Sequence, residues 1–81
     1  MYHVRLLYRP DTKVQGKDLH AIAERVGVVA TGMLPQESFI ARNGDNTQFL
    51  FQDSAKALEF MAKTIDLEYI LSAGINTTDI I

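Results

Sequence analysis

The side chains most often used for chemistry are scarce in this sequence. It holds two histidines, His3 and His20, three serines, Ser38, Ser54 and Ser72, and no cysteine. Without thiolates, a zinc site would need both histidines plus carboxylates, and no His-x-x-x-His or Glu-x-x-His spacing occurs. His3 falls in a strand-like segment and His20 in a helix-like one, where each reads as a surface residue. None of the serines sits in a Gly-x-Ser-x-Gly elbow, and Ser54 is explained more simply as a helix-start residue. A triad assembled in space would still need a pocket of about 300 Å³ or more, for which a chain this short has little room. Asp45 and Asp53 lie at opposite ends of one strand, while Asp66 and Glu68 flank a bend. None has a reason to be buried, so none gains the raised proton affinity of a general acid. The glycines Gly27 and Gly32 lack the Gly-Lys-Ser/Thr ending of a phosphate loop. These absences predict no catalytic set, no metal and no cofactor: a binding module and not an enzyme.

Composition narrows the class further. Eighty-one residues, 47% of them hydrophobic, suit one globular domain over 1–81. The absence of cysteine fits a reducing, cytoplasmic setting. MYHVRLLYRP is too short and too charged for a secretion signal, and no run approaches the roughly 20 apolar residues of a membrane span. Charge is divided along the chain: six Lys/Arg against four Asp/Glu up to residue 42, then two against six. That is too weak a bias for a dedicated nucleic-acid binder and far too little acid for a mimic of DNA.

The elements that must position any functional residue follow from periodicity. In residues 2–9, Tyr2, Val4, Leu6 and Tyr8 alternate with His3, Arg5, Leu7 and Arg9, which predicts a strand with the first set buried. Pro10 ends it, and 10–16 reads as a polar loop. Leu19, Ile22, Ala23 and Val26 make the stripe of a helix over 17–26, closed by Gly27 as its left-handed C-cap. Val28 to Leu34 predict a short or bent strand, limited by Gly32 and Pro35. Ser38–Arg42 and Thr47–Gln52 are two β-like runs around Asn43-Gly44-Asp45-Asn46, a turn-forming sequence. They predict a hairpin that pairs Phe39 with Phe51 and Ala41 with Phe49, so that the aromatics share one face. Asp53 caps a second helix over 54–65, with Leu58, Met61, Ala62 and Ile65 as the buried stripe, widened by Ala57 and Phe60. Residues 66–73 fit either a short helix or, slightly better, a strand through Leu67, Tyr69, Leu71 and Ala73. Asn76-Thr77-Thr78 then reads as a turn and 79–81 as a final edge or tail.

The order β-α-β-β-β-α-β resembles a ferredoxin-like α/β plait, an α+β fold with an antiparallel sheet and two helices on one face. That architecture hosts many activities and so implies none by itself.

If the phenylalanines face the helices, the other side of the sheet carries His3, Arg5, Leu7, Arg9, Ile40, Arg42, Gln48, Leu50 and Gln52. It has no aromatic on which a base could stack and no RNP-like motif. Its three arginines would permit phosphate contacts, but nucleic acid is not the favoured partner. Leu7, Ile40 and Leu50, rimmed by arginine and glutamine, form the pattern of a protein-docking patch. The plain alternative is that they fill gaps between longer polar neighbours. The expected function is a small regulatory or inhibitory module that docks a protein partner or a second copy on this face or on a free strand edge, through Arg5, Leu7, Arg9, Ile40, Arg42 and Leu50. Compact, motif-poor accessory proteins of viruses and mobile elements offer an analogy. Two further readings differ in class. One is a dimeric small-ligand sensor with its ligand near Gly27–Pro35. The other is a nucleic-acid binder using the basic strand face.

Overall fold

The structure, a computed structural model, describes residues 1–77. Its elements are β1 (Tyr2–Tyr8), β2 (Lys13–Gln15), α1 (Gly16–Val26), β3 (Ala30–Thr31), β4 (Ser38–Ile40), β5 (Asn46–Phe51), α2 (Ser54–Thr64) and β6 (Ile70–Thr77). Four strands form an antiparallel sheet in the order β3-β5-β1-β6, and β2 pairs with β4 in a separate two-stranded ribbon. In this order β5 lies between β1 and β3, the strands joined by α1. Likewise β1 lies between β5 and β6, the strands joined by α2. Two split βαβ units therefore interleave, which is the ferredoxin-like plait.

The alternation in β1 gives the core its first layer. Val4, Leu6 and Tyr8 are buried, and register sets Val4 against Phe49 and Leu6 against Thr47 on β5. Phe49 and Phe51 point at α2, where the Phe60 ring lies 4.6 and 5.1 Å from theirs. From α1 the core receives Leu19, Ala23 and Val26. Gly27 ends α1 with φ of 107°, its N–H bonded to the Ala23 carbonyl. Asp53 caps α2 by accepting from the Lys56 N–H at 2.9 Å.

Several expectations fail, each for a physical reason. The Asn43–Asn46 turn forms, with Gly44 at φ of 91° and Asp45 bonded to Arg42. The strands it joins do not pair with each other. β4 turns to β2, setting Phe39 against Val14, while β5 takes the place between β1 and β3. Turn chemistry is local and does not choose a strand's partner. The long apolar strand β1 offers Phe49 and Phe51 more burial than three-residue β4 could. Phe39 is half-buried, edge-on to Tyr8 at 5.8 Å and 82°. The loop expected at 10–16 contains β2, because Val14 alone reaches the core between exposed Lys13 and Gln15. The strand expected over 28–34 shrinks to Ala30–Thr31.

In α2 the buried side is Ala57, Phe60 and Thr64, with Met61 half-buried; Leu58, Ala62 and Ile65 are exposed. Thr64 is buried without penalty because its hydroxyl donates back to the Phe60 carbonyl at 2.8 Å. The final strand exists but runs Ile70–Thr77, and residues 66–69 are turns. A register shift between Leu7 and Tyr8 breaks its two-residue alternation, so both Ile70 and Ala73 face inward. Asn76 and Thr77, expected in a turn, are strand. The expectations for Thr78 and for 79–81 lie outside the described residues.

Candidate functional site

Both helices pack on one face of the four-stranded sheet, and the other face has no layer over it among the described residues. Arg5, exposed, and Leu7, half-buried, rise from β1, and half-buried Leu50 rises from β5. Strand register fixes their neighbours. Arg5 stands between Gln48 and Gly74, Leu7 between Asn46 and Ser72, and Leu50 between His3 and Ala30.

Two shallow hollows mark this face. The larger, about 420 Å³, lies over the β1–β6 side and is lined by Arg5, Leu7, Asn46, Ser72, Gly74 and Asn76. The smaller, about 270 Å³, is lined by His3, Ala30, Thr31, Gly32, Gln48 and Leu50. Glycine forms the floor of the larger one. A Cβ placed on Gly74 would meet nothing within 4 Å, so nothing in the chain itself demands a glycine there. Glycine within a strand often marks a place where an outside group comes close. Arg5 Nε donates to Asn46 Oδ1 at 3.3 Å, and both residues line the hollow. Such an arrangement suits a carboxylate or a carbonyl oxygen offered from outside, with Leu7 and Leu50 as apolar contacts on either side.

Of the six residues expected to share this face, the structure brings together Arg5, Leu7 and Leu50 and separates the other three. Ile40, 61% exposed, belongs to β4 in the small ribbon. Arg42 stands in the turn before β5, where its N–H donates to Asp45 Oδ2. Arg9 lies past the end of β1, its N–H bonded to the Tyr69 carbonyl. The placement of Ile40 and Arg42 depended on the hairpin and fell with it, whereas Arg9 drops out because β1 ends one residue earlier than expected. The basic strand face is thereby reduced to one arginine. Sequence reasoning missed Ser72, Gly74 and Asn76 because β6 was given the wrong limits, and Asn46 because it was counted in the turn and not as the first residue of β5. The mostly apolar, proline-free run Ile70–Ile75, interrupted only by Ser72, was the signal that could have found the three on β6.

Away from this face, two tyrosines and one histidine make contacts within the fold. Burial pushes the Tyr8 hydroxyl up to about 12, opposed by the hydrogen bond it donates to Thr47 at 2.6 Å. Burial likewise raises Tyr69, whose hydroxyl has no partner among the described residues. His20 Nε2 lies 2.8 Å from the Leu34 carbonyl, tying the segment after β3 to α1. No group of three or more His, Asp or Glu among the described residues could hold a metal ion, and no helix there is long and apolar enough to cross a membrane. Comparison with known proteins finds no matching family model, no matching curated protein and no matching solved structure.

Proposed function

We propose that the protein is a small regulatory or inhibitory module that performs no reaction and acts by docking a protein partner on the open face of its sheet. The observation that carries this reading is the Arg5–Gly74 hollow: a guanidinium hydrogen-bonded to Asn46 beside a glycine whose missing side chain nothing internal explains, with Leu7 in the same hollow and Leu50 in the neighbouring one. The fitting partner surface presents an acidic side chain for Arg5 and small apolar groups for the two leucines. An interface of this kind takes its energy from a few central contacts and its specificity from the charge.

The test is a comparative capture from native host extract. A partner held by the wild type should be lost with Arg5→Glu and with Leu50→Glu, yet kept with Leu58→Glu on the helical side. A partner indifferent to both sheet-face variants would place docking elsewhere.

One observation favours a second reading, a small-ligand sensor. The smaller hollow includes Ala30, Thr31 and Gly32, within the segment where such a ligand was expected. Stabilisation by an amino acid, abolished by Gly32→Val, would support the sensor over the docking module.

A further inference from the structure

The edge of the sheet formed by β6 presents an unmet pairing surface. Backbone N–H groups of β1 alternate in direction: Tyr8 donates toward β5, to Asp45, and Arg9 donates toward β6, to Tyr69. By the two-residue period, Arg5 and Leu7 also face β6, so their partners Gly74 and Ser72 turn their backbone groups to β1. The backbone groups of Ala73 and Ile75 therefore point away from the sheet, and none has a partner among the described residues. Proteins commonly blunt such an edge with charge, proline or brevity. Ile70–Thr77 has eight residues, with no charged side chain and no proline.

The helix above this edge carries matching apolar surface. Lys56 Nζ lies beside Gly27, 3.3 Å from where a Cβ would stand, so the Lys56 flank of α2 faces α1. At 3.6 residues per turn, Leu58 and Ile65 lie about 180–200° around the helix from Lys56. They occupy the opposite flank, on the β6 side, where they are 58% and 43% exposed. Met61, Ala73 and Ile75 beneath them are only half-buried, and Leu71 is 46% exposed. The stripe Leu58-Met61-Ala62-Ile65 has the spacing of a core-facing helix surface, yet this chain leaves most of it uncovered.

We infer that β6 pairs antiparallel with β6 of a second copy, joining two sheets into one of eight strands and packing the two α2 flanks against each other. Three arguments select a second copy as the occupant. A charged edge would repel its own duplicate, whereas this one has no charge to repel. A two-fold axis through Gly74 sets Ala73 of each chain against Ile75 of the other, so both free hydrogen-bonding sites are met by the same operation. The size also suffices. Eight residues make an edge about 27 Å long. The molecule is 21–23 Å across its shorter axes. The surface is then on the order of 500 Å² per copy, or about the 1,000 Å² total at which specific interfaces begin. This inference stands apart from the docking proposal, although pairing would bring two Arg5 hollows close to the axis.

Sedimentation equilibrium of the full chain from about 1 to 100 µM tests it. The wild type should fit twice the 9.1 kDa chain mass. Ala73→Pro removes an outward N–H, which an edge strand tolerates within one chain, and Leu58→Glu/Ile65→Glu charges the flank. Each should weaken association at least tenfold while circular dichroism stays that of the wild type, and Leu50→Glu should leave it unchanged. Should Ala73→Pro unfold, the double variant decides. A wild type that is monomeric throughout, or a dimer indifferent to the folded variants, overturns the inference.

Discussion

The two edges of the sheet are built in opposite ways. At one, β3 offers two residues and is gone: Val29 and Gly32 each donate one hydrogen bond to β5, and the chain then departs through Met33 and Leu34 to cross the start of α1. At the other, β6 runs for eight residues without a charge or a proline. The first edge is too short to template another strand, whereas the second has the features that invite one. A chain of this size buries only about 60% of its unfolded surface. The connection after β3 closes that side, and among the described residues nothing covers the β6 edge.

The closed side can be broken at Gly16, where the largest effect is expected. A Cβ there would lie 1.8 Å from the Pro35 carbonyl oxygen and 3.1 Å from that of Glu37. The obstacle is backbone and cannot rotate away, so Gly16→Ala should exceed the usual cost of overpacking, reaching about 3 kcal/mol or more. Urea unfolding checks it; a variant within 1 kcal/mol of wild type would mean that the crossing of 33–37 over α1 is loose.

Tyr8 also braces the closed side, through its ring against Phe39 and its hydroxyl on Thr47. With its pKa raised from 10.0 to about 12, the folded state holds the neutral phenol more strongly than the unfolded chain does. That stability is complete below pH 10, because both states are then neutral. It is lost as pH rises from 10 to 12, where the unfolded chain ionises first. The loss amounts to at most about 2.7 kcal/mol at two pKa units. Tyr8→Phe should start about 1 kcal/mol less stable from the lost hydrogen bond but fall less steeply over that range. Equal slopes for the two proteins from pH 10 to 12 would assign the alkaline loss to other groups.

How much of this was legible in the sequence depends on the range of the signal. Gly27 and Asp53 act within one helical turn, and both cap as their residue types require. The alternation in β1 likewise needs no partner to be read. Partner choice does need one. Nothing near Phe39 says that its neighbour will be Val14, one apolar residue in a polar loop, and so Ile40 and Arg42 were drawn to the wrong sheet. A bulge against Tyr8 defeated the period-two reading of β6 and hid Gly74 from the candidate site. On α2, two overlapping apolar stripes share Met61, and periodicity alone does not say which one the core takes. Leu58, Ala62 and Ile65 went to the stripe it leaves out.

On the open side the expected effects on folding are small. Leu71→Lys places a charge on a half-exposed edge residue and should change stability by no more than about 0.5 kcal/mol. A larger loss, measured at concentrations where the wild type is monomeric, would show that the β6 edge carries more of the fold than its exposure implies.

Gly74→Ala sharpens the contrast furthest, because its two readouts should part. A Cβ at Gly74 meets nothing within 4 Å, and its φ is not positive, so the folded chain has no objection to alanine. Fewer unfolded conformations should then make the variant as stable as wild type, or more stable by about 0.4–1 kcal/mol. The added methyl nevertheless projects from the strand opposite Arg5, into the hollow proposed to receive a partner's side chain. Partner capture should fall while the urea midpoint holds or rises. Capture that is undiminished in a stable Gly74→Ala protein would mean that the glycine marks no contact, and the docking site would have to be sought away from the β1–β6 side of the sheet.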